Sequence, residues 1–266
     1  MVSFVTVTKL MDMVNVTRSP TTGKSMYTEE ISYEVEGTTM IGHLALPDGD
    51  DVRPCVLVCH EGPGMSDHAR TRADRLAVLG YVAFALDYHG GGTVLTERAE
   101  MSGRIGAWLE DPTQTRLRAH AGLDVLLAQA RADAARVAAI GFCFGGTMAL
   151  ELARSGADVK AVVGFHSGLG TARPQDASNI RGSILVCIGA DDPMVPEAQR
   201  LAFQDEMRAA NVDWRLNLYG GAVHSFTNVD ADAMGAPMIK YHKPTDDRSW
   251  RAMLDLFGET LAPVDR

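Results

Sequence analysis

A series of short apolar runs constrains the fold of this chain more than any other feature of its sequence. The runs span residues 55–59, 81–86, 137–140, 159–165 and 184–188. Runs with so little polar alternation are typical of strands that are buried on both faces of a parallel sheet. Segments with helical spacing separate them, at residues 67–79, 112–130, 145–154 and 196–210. Strands that alternate with helices predict an α/β fold, with a mostly parallel central sheet and helices on both faces.

The two ends of this pattern are also regular. Residues 31–36 and 40–46 alternate between apolar and polar side chains around a glycine-containing turn, which predicts a β-hairpin before the first buried strand. After the last buried run, residues 214–219 have the pattern of a strand and residues 245–261 that of a helix. The parallel sheet is therefore expected to continue close to the end of the chain.

Length and composition suit one globular domain. The chain has 266 residues, of which 46% are hydrophobic and 22% charged. Residues 1–28 are interpreted as an N-terminal extension, and we expect residues 29–266 to form a single domain because no linker or repeat interrupts them. The net charge of −9 argues against a nucleic-acid partner. No apolar run approaches the roughly 18 residues that span a membrane, so no membrane partner is expected.

The four cysteines do not indicate a disulfide framework or a metal site. Cys55, Cys59 and Cys187 lie in apolar runs and are interpreted as small core residues. No pairs of Cys or His have the spacing of zinc ligands, so neither a metal nor a cofactor is predicted. We expect a cytoplasmic, reducing location that keeps Cys143 as a free thiol. The protein is expected to act on a small molecule, as a monomer or homodimer.

The remaining cysteine, Cys143, lies in the most specific motif of the chain. Residues 141–146 read Gly-Phe-Cys-Phe-Gly-Gly, after a predicted strand and before a predicted helix. Small residues around a nucleophile at such a junction are typical of the nucleophile elbow of α/β-hydrolases. The glycines are needed because Cβ atoms in so tight a turn would collide with the adjoining strand and helix. The helix N-terminus would also favour a thiolate at Cys143 and a developing oxyanion. A buried cysteine in a glycine-rich turn is the alternative.

Candidates for the acid and base of a catalytic triad follow in chain order. The strand at 184–188 leads to Asp191 and Asp192. We favour Asp192, because in this loop pattern the acid usually lies three residues before a valine, here Val195; Asp191 remains the alternative. His224 follows the last predicted strand after a glycine break. Nucleophile, acid and base in this order are typical of α/β-hydrolases, in which the acid fixes the tautomer of the imidazole.

These motifs resemble the dienelactone hydrolase family. The resemblance rests on residues 58–62 and 79–83, the elbow at 141–146, and the loops that carry Asp192 and His224. It covers the chain from the predicted hairpin to its end. It implies an α/β-hydrolase fold and a hydrolase that cleaves a carboxylic ester or lactone through a Cys-His-Asp triad.

The resemblance implies further roles near the nucleophile. In the family, a glutamate after the third strand holds the resting thiol until substrate displaces it, and Glu61 occupies that position. A solvated loop carboxylate is the alternative. The oxyanion hole of the family implies the backbone N–H groups of Gly62 and Phe144. Neither residue is proline, so both donors exist.

The substrate-binding residues depart from the family pattern. The archetypal enzyme holds the carboxylate of its substrate with arginines, one of them four residues past the histidine, where this chain has Asn228. The second arginine of the family lies between the fourth strand and the elbow, where Arg104, Arg116 and Arg118 are candidates. Trp108 lies in an extra segment, residues 90–111, that is expected to form part of a lid. The triad residues still indicate the hydrolase mechanism, while these departures leave the substrate open.

Three functions are compatible with the sequence. The first is a carboxylic ester or lactone hydrolase. The second is a thioesterase or acyltransferase that uses the same residues. The third is a non-catalytic binding or redox-sensing protein with an exposed thiol. The presence of Cys143, Asp192 and His224 together favours the hydrolase, because a binding module needs no triad.

Overall fold

A computed structural model describes residues 26–262, and its centre is one sheet of eight strands. The strands are β1 (Met26–Val35), β2 (Thr38–Pro47), β3 (Arg53–Cys59), β4 (Val82–Leu86), β5 (Ala132–Phe142), β6 (Ala161–Phe165), β7 (Ser183–Gly189) and β8 (Trp214–Tyr219). Their order in the sheet is β1-β2-β4-β3-β5-β6-β7-β8. The β1–β2 and β2–β4 pairs are antiparallel, and the other neighbouring strands are parallel. The predicted mostly parallel α/β sheet is confirmed.

Helices cover both faces of this sheet. They are α1 (Asp67–Val78), α2 (Arg98–Glu110), α3 (Thr113–Leu127), α4 (Phe144–Arg154), α5 (Glu197–Ala209) and α6 (Lys243–Thr260). One core cluster contains buried residues of α3, α4 and α5, and the other contains those of α1 and α6. Strand β3 supplies both clusters, with Leu57 on one face and Val58 on the other. A strand buried on both faces needs apolar residues at every position, which explains the unalternating runs.

Two features differ from the expectations of the sequence. Most of the expected lid segment is α2, which has no buried residue of its own and so gave no clear helical pattern. Strand β1 begins at Met26, so the end of the predicted extension belongs to the sheet; the earlier part of that extension lies outside the described residues. Among residues 26–262, no helix combines the length and the apolar character needed to cross a membrane.

The parallel part of the sheet positions the candidate functional residues. Glu61 follows β3, Cys143 follows β5, and His166 follows β6. Asp192 and His224 lie in the loops after β7 and β8. Because parallel strands end at the same edge of the sheet, these loops meet at its carboxyl edge, where open α/β sheets bind ligands.

Candidate active site

Cys143 lies at a sharp turn between β5 and α4. It is the N-cap of α4 and has φ 54° and ψ −123°, a conformation that non-glycine residues rarely adopt. A Cβ atom on Gly141 would lie 2.0 Å from the Gly145 carbonyl oxygen, and one on Gly145 would lie 2.2 Å from the His60 carbonyl oxygen. Only glycine fits at these two positions, and the turn leaves the Cys143 side chain partly exposed at the helix N-terminus.

Asp192 and His224 form a buried pair. His224 Nδ1 lies 2.7 Å from Asp192 Oδ2, while Asp192 Oδ1 accepts a hydrogen bond of 2.8 Å from the Met194 N–H. The neighbouring Asp191 is exposed and accepts a hydrogen bond from the Gly221 N–H. Of the two aspartates, Asp192 is therefore the one that can orient the imidazole, with Nε2 left to face the reacting groups.

The environment of His224 favours its protonated form. Burial by itself disfavours the imidazolium, but the Cys143 sulfur and the Asp192 carboxylate outweigh burial and raise the pKa of His224 to about 10. Nε2 of His224 has no hydrogen-bond partner among the described residues, so its N–H is free for the sulfur or for a leaving group. This charge arrangement is the one that a thiolate nucleophile with an imidazolium acid requires.

Glu61 is buried beside this pair. Its Oε2 accepts a hydrogen bond of 2.6 Å from Asn228 Nδ2 and lies 3.8 Å from His68 Nδ1. Oε1 of Glu61 has no partner among the described residues, and no hydrogen bond recorded among them joins Glu61 to Cys143. Burial raises the pKa of Glu61, and the Asn228 hydrogen bond opposes that rise. Glu61 is therefore not a solvated loop carboxylate, since it is 4% exposed.

The backbone after β3 is held by aromatic side chains. The Glu61 carbonyl oxygen accepts hydrogen bonds from Tyr88 Oη at 2.7 Å and His60 Nδ1 at 2.6 Å. The Gly62 carbonyl oxygen accepts one of 2.7 Å from His89 Nε2. These bonds fix the peptide planes around Gly62 and hence the direction of its N–H. Phe144 is the first residue of α4, where N–H groups have no partner inside the helix.

A cavity of about 490 Å³ opens in front of Cys143 and His224. Its other lining residues are mostly apolar or small, and none is Arg, Lys, Asp or Glu; they are Ile105, Leu109, Phe144, Thr147, Gly168, Gly170, Thr171, Ala172, Met194, Val195 and Gln199. Across residues 26–262, no group of three or more His, Cys, Asp or Glu side chains is placed to hold a metal ion. The chemistry available in the cavity is therefore that of the Cys143 thiol and the His224 imidazole.

Comparison with known proteins decides the family. A model of the dienelactone hydrolase family matches residues 40–261. The chain belongs to the dienelactone hydrolase family. It is 25% identical to a Salmonella typhimurium protein provisionally named as a carboxymethylenebutenolidase, over 84% of each chain. It is 33% identical to an uncharacterised Caenorhabditis elegans protein, over 54% of this chain and 93% of that one.

Solved structures agree with this membership. The structure named m3DLH has a TM-score of 0.87 and 46% sequence identity, over 89% of this chain and 99% of that chain. A dienelactone hydrolase-like promiscuous phosphotriesterase from metagenomic libraries has a TM-score of 0.85 and 43% identity over the same shares. As a dienelactone hydrolase family member, the protein is a carboxylic ester hydrolase that acts on a small molecule.

The expected substrate-binding residues of this dienelactone hydrolase relative lie outside the cavity lining. Asn228 is buried and holds Glu61. Arg104 forms an ion pair of 2.7 Å with Glu100 in the next turn of α2. Trp108 packs behind the cavity wall, stacked on His89 with ring centroids 5.6 Å apart. None of the three is placed among the residues that face Cys143 across the cavity.

Sequence reasoning missed the structural role of several histidines in this dienelactone hydrolase site. His60, His89 and His166 each follow a strand of the sheet. All three are buried, and each bonds a backbone group of the site. The available signal was that each of these histidines follows a strand whose carboxyl end lies at the same edge of the sheet as Cys143.

Proposed function

We propose that this protein cleaves neutral carboxylic esters or lactones through a covalent intermediate on Cys143. The observation that carries the proposal is the strained Cys143 turn next to the buried His224–Asp192 pair. A triad of this kind converts one difficult hydrolysis into two easier steps. We also propose that residues 29–266 work as one domain, as a monomer or homodimer, in a reducing, cytoplasmic setting that preserves the thiol.

In the first step, the Cys143 thiolate attacks the carbonyl carbon and forms a C–S bond. The N–H groups of Gly62 and Phe144 would stabilise the oxyanion, and loss of one such donor typically costs about 3–4 kcal/mol of barrier. The intermediate collapses with cleavage of the C–O bond, and His224 gives its Nε2 proton to the departing alkoxide. The acid and the alkoxide part leave separately, or stay joined when the substrate is a lactone.

In the second step, His224 is neutral and acts as a base. It takes a proton from water, whose oxygen attacks the thioester carbon. The C–S bond then breaks, the acid is released, and the thiolate and imidazolium are restored. Asp192 holds the imidazole by Nδ1 in both steps, so the same nitrogen, Nε2, gives and takes the proton.

The cavity supports a neutral substrate. With no Arg or Lys on its wall, it offers a carboxylate no cation besides His224, which already pairs with Asp192. Gln199 supplies one oriented polar group, because its Oε1 already accepts a hydrogen bond of 3.0 Å from the Leu169 N–H. Its amide nitrogen is left as the donor on the cavity side. We expect a neutral ester with an apolar group to be preferred over an anionic one.

The test is hydrolysis of a neutral aryl ester by the wild type, Cys143→Ala and Cys143→Ser. We expect no turnover by the alanine variant, weak turnover by the serine variant, and unchanged folding by circular dichroism for both. Mass spectrometry of a quenched reaction should find the acyl group on Cys143. Wild-type turnover by Cys143→Ala would show that another residue is the nucleophile.

A second candidate activity is hydrolysis of neutral phosphate triesters. It follows from the 43% identity to a promiscuous phosphotriesterase and from the absence of Arg, Lys, Asp and Glu from the cavity lining. Here the thiolate would attack phosphorus and displace an aryloxide. A diethyl aryl phosphate assay on the same variants tests it, and release of aryl alcohol at the buffer rate would exclude this activity.

A further inference from the structure

His166 connects two segments that the proposed mechanism needs in register. It is fully buried at the end of β6, with φ 40°, in the left-handed region that favours glycine. Its Nδ1 lies 3.2 Å from the backbone nitrogen of Cys143, and its Nε2 lies 2.8 Å from Thr227 Oγ1. Cys143 lies on the nucleophile turn, and Thr227 lies on the loop that carries His224. We propose that His166 is a positioning residue that ties the nucleophile turn to the His224 loop; this inference rests on the proposed function.

The hydrogen bonds of His166 allow one protonation state. The Cys143 N–H donates both to the Phe165 carbonyl oxygen at 3.0 Å and to His166 Nδ1 at 3.2 Å, so Nδ1 is an acceptor and does not carry a proton. The proton of the neutral ring therefore sits on Nε2 and is donated to Thr227 Oγ1. Burial, followed by His224, His68 and Arg72, lowers the pKa of His166, so the ring stays neutral. A neutral ring adds no charge beside His224.

Packing around Thr227, on the loop that carries His224, supports the same role for His166. The His166 ring lies edge-on to His224, with centroids 5.1 Å apart, and edge-on to Phe226 at 5.0 Å. Thr227 also contacts His68 Nε2 at 3.1 Å, and its carbonyl oxygen accepts a hydrogen bond from Arg72. The loop after β8 is therefore fixed at Thr227, three residues past His224.

The tie matters because Cys143 and His224 are on different loops. Among the described residues, no third group bonds His224 Nε2 and holds it at its distance from the Cys143 sulfur. Their alignment therefore depends on how the two loops are held. Misplacement of a reacting group by about 1 Å can cost roughly 10²-fold in rate. A backbone-to-ring-to-hydroxyl connection is a direct way to prevent it.

Four variants separate the two ends of the tie. His166→Asn keeps an acceptor at the Nδ1 position but does not reach Thr227. His166→Gln keeps a donor at the Nε2 position but removes the Nδ1 acceptor, which leaves the Cys143 N–H with the Phe165 carbonyl oxygen alone. Thr227→Val removes the hydroxyl at nearly constant volume, and Thr227→Ser restores it as the matched control. We expect kcat to fall about tenfold in the first three variants, with KM little changed and with most of kcat retained in Thr227→Ser.

A double-variant cycle tests the connection itself. If His166 acts through Thr227, adding Thr227→Val to His166→Asn should lower kcat by less than about twofold more. Full additivity of the two losses would overturn the tie. So would wild-type kcat in His166→Asn and His166→Gln while Cys143→Ala is inactive. An active Cys143→Ala would instead overturn the proposed function, so the two failures are distinguishable.

The pH dependence of alkylation distinguishes positioning from stability. Cys55, Cys59 and Cys187 are fully buried, so iodoacetamide reports on Cys143 in the folded protein. The titratable groups around the Cys143–His224 pair are Asp192, Glu61, His166 and Tyr88. A looser pair should shift the alkylation profile to higher pH in Thr227→Val and return it in Thr227→Ser. A lower Tm with an unchanged profile would mean a purely structural role.

Discussion

Two buried clusters of polar side chains differ in how completely they are paired. Behind the cavity wall, Arg154 is fully buried, and all its nitrogens have partners. Nε and Nη2 bond the two carboxylate oxygens of Glu206 at 2.7 and 2.9 Å, and Nη1 bonds Glu151 at 3.0 Å. Nη2 also donates to the Leu169 carbonyl oxygen, next to the glycines that line the cavity. This cluster joins α4, α5 and the loop after β6.

The cluster around Cys143 is incompletely paired. Among the described residues, Glu61 Oε1, His68 Nδ1 and His224 Nε2 are buried without a hydrogen-bond partner. An unpaired buried polar group typically costs about 1–3 kcal/mol. The comparison teaches that Arg154 pairs all its nitrogens to hold the scaffold, whereas the proposed catalytic cluster leaves three polar atoms unpaired where the proposed mechanism moves charge and protons. The following predictions test that division, from the largest expected effect to the smallest.

Asp192→Asn should cause the largest loss of activity with little loss of stability. The asparagine can hold the imidazole in the wrong tautomer, and an analogous change in a serine triad lowers kcat by about 10⁴-fold. We expect at least about 10²-fold here, because a thiol depends less on a base. Asp191→Asn is the matched control, since Asp191 is exposed and bonds only the Gly221 N–H. Kinetics that rank the two variants the other way would transfer the role to Asp191.

Arg154→Met should instead cause a large loss of stability with little loss of activity. It leaves the Glu206 carboxylate uncompensated and takes one of two arginines from Glu151, which keeps Arg116, so the free energy of unfolding should fall by about 3–5 kcal/mol. Turnover per folded molecule should change little, because Arg154 contacts no reacting group. Arg208→Met is the control: Arg208 pairs with Asp205 on the surface, where an ion pair contributes about 1 kcal/mol or less. Urea unfolding measures both, and equal stability of the two variants would refute the contrast.

The pH profile should report the charge at the active site. The free enzyme needs protonated His224 to release the alkoxide, and the pKa of His224 is raised to about 10. For an alkyl ester, kcat/KM should therefore hold above pH 8 and fall about tenfold per unit once pH passes 10. Asp192→Asn should move this fall to lower pH, because Asp192 helps to raise the pKa. A basic limb near pH 7 in the wild type would contradict the imidazolium assignment.

Glu61→Gln should give the smallest effect. Glutamine keeps an oxygen for Asn228 but removes a negative charge beside the thiol, and a nearby carboxylate disfavours a second anion. Iodoacetamide should then alkylate Cys143 several-fold faster at neutral pH, while turnover of good esters falls. The absence of Arg and Lys from the cavity lining is tested separately, by comparing hydrolysis of a carboxylated lactone with that of its neutral methyl ester, which we expect to be faster. Equal alkylation rates would leave Glu61 without influence on the resting thiol.

Much of the fold could be predicted because its signals are local. A buried parallel strand needs apolar residues at successive positions, and a sharp strand-to-helix turn needs glycine at Gly141 and Gly145. These requirements are met within a few residues of sequence. They indicated the sheet and the family, which the fold and the comparisons confirm.

What the sequence did not show depends on contacts between distant parts of the chain. Glu61 and Asn228 are 167 residues apart and meet in one hydrogen bond, so Asn228 holds Glu61 rather than facing substrate. His166 reaches Thr227 across 61 residues. No residue of α2 is fully buried, and Arg104 forms its ion pair with Glu100 on the same helix.

The sequence by itself determined the elements, their order and the residue types available for chemistry, since each follows from local backbone and burial requirements. The tertiary structure decided which polar atoms are paired, because hydrogen bonds reach only about 3 Å and their partners come from loops far apart in the chain. It also decided that no Arg or Lys lines the cavity, although the chain has 25 such residues; Arg104 and Arg154, for example, pair with Glu100 and Glu206 instead.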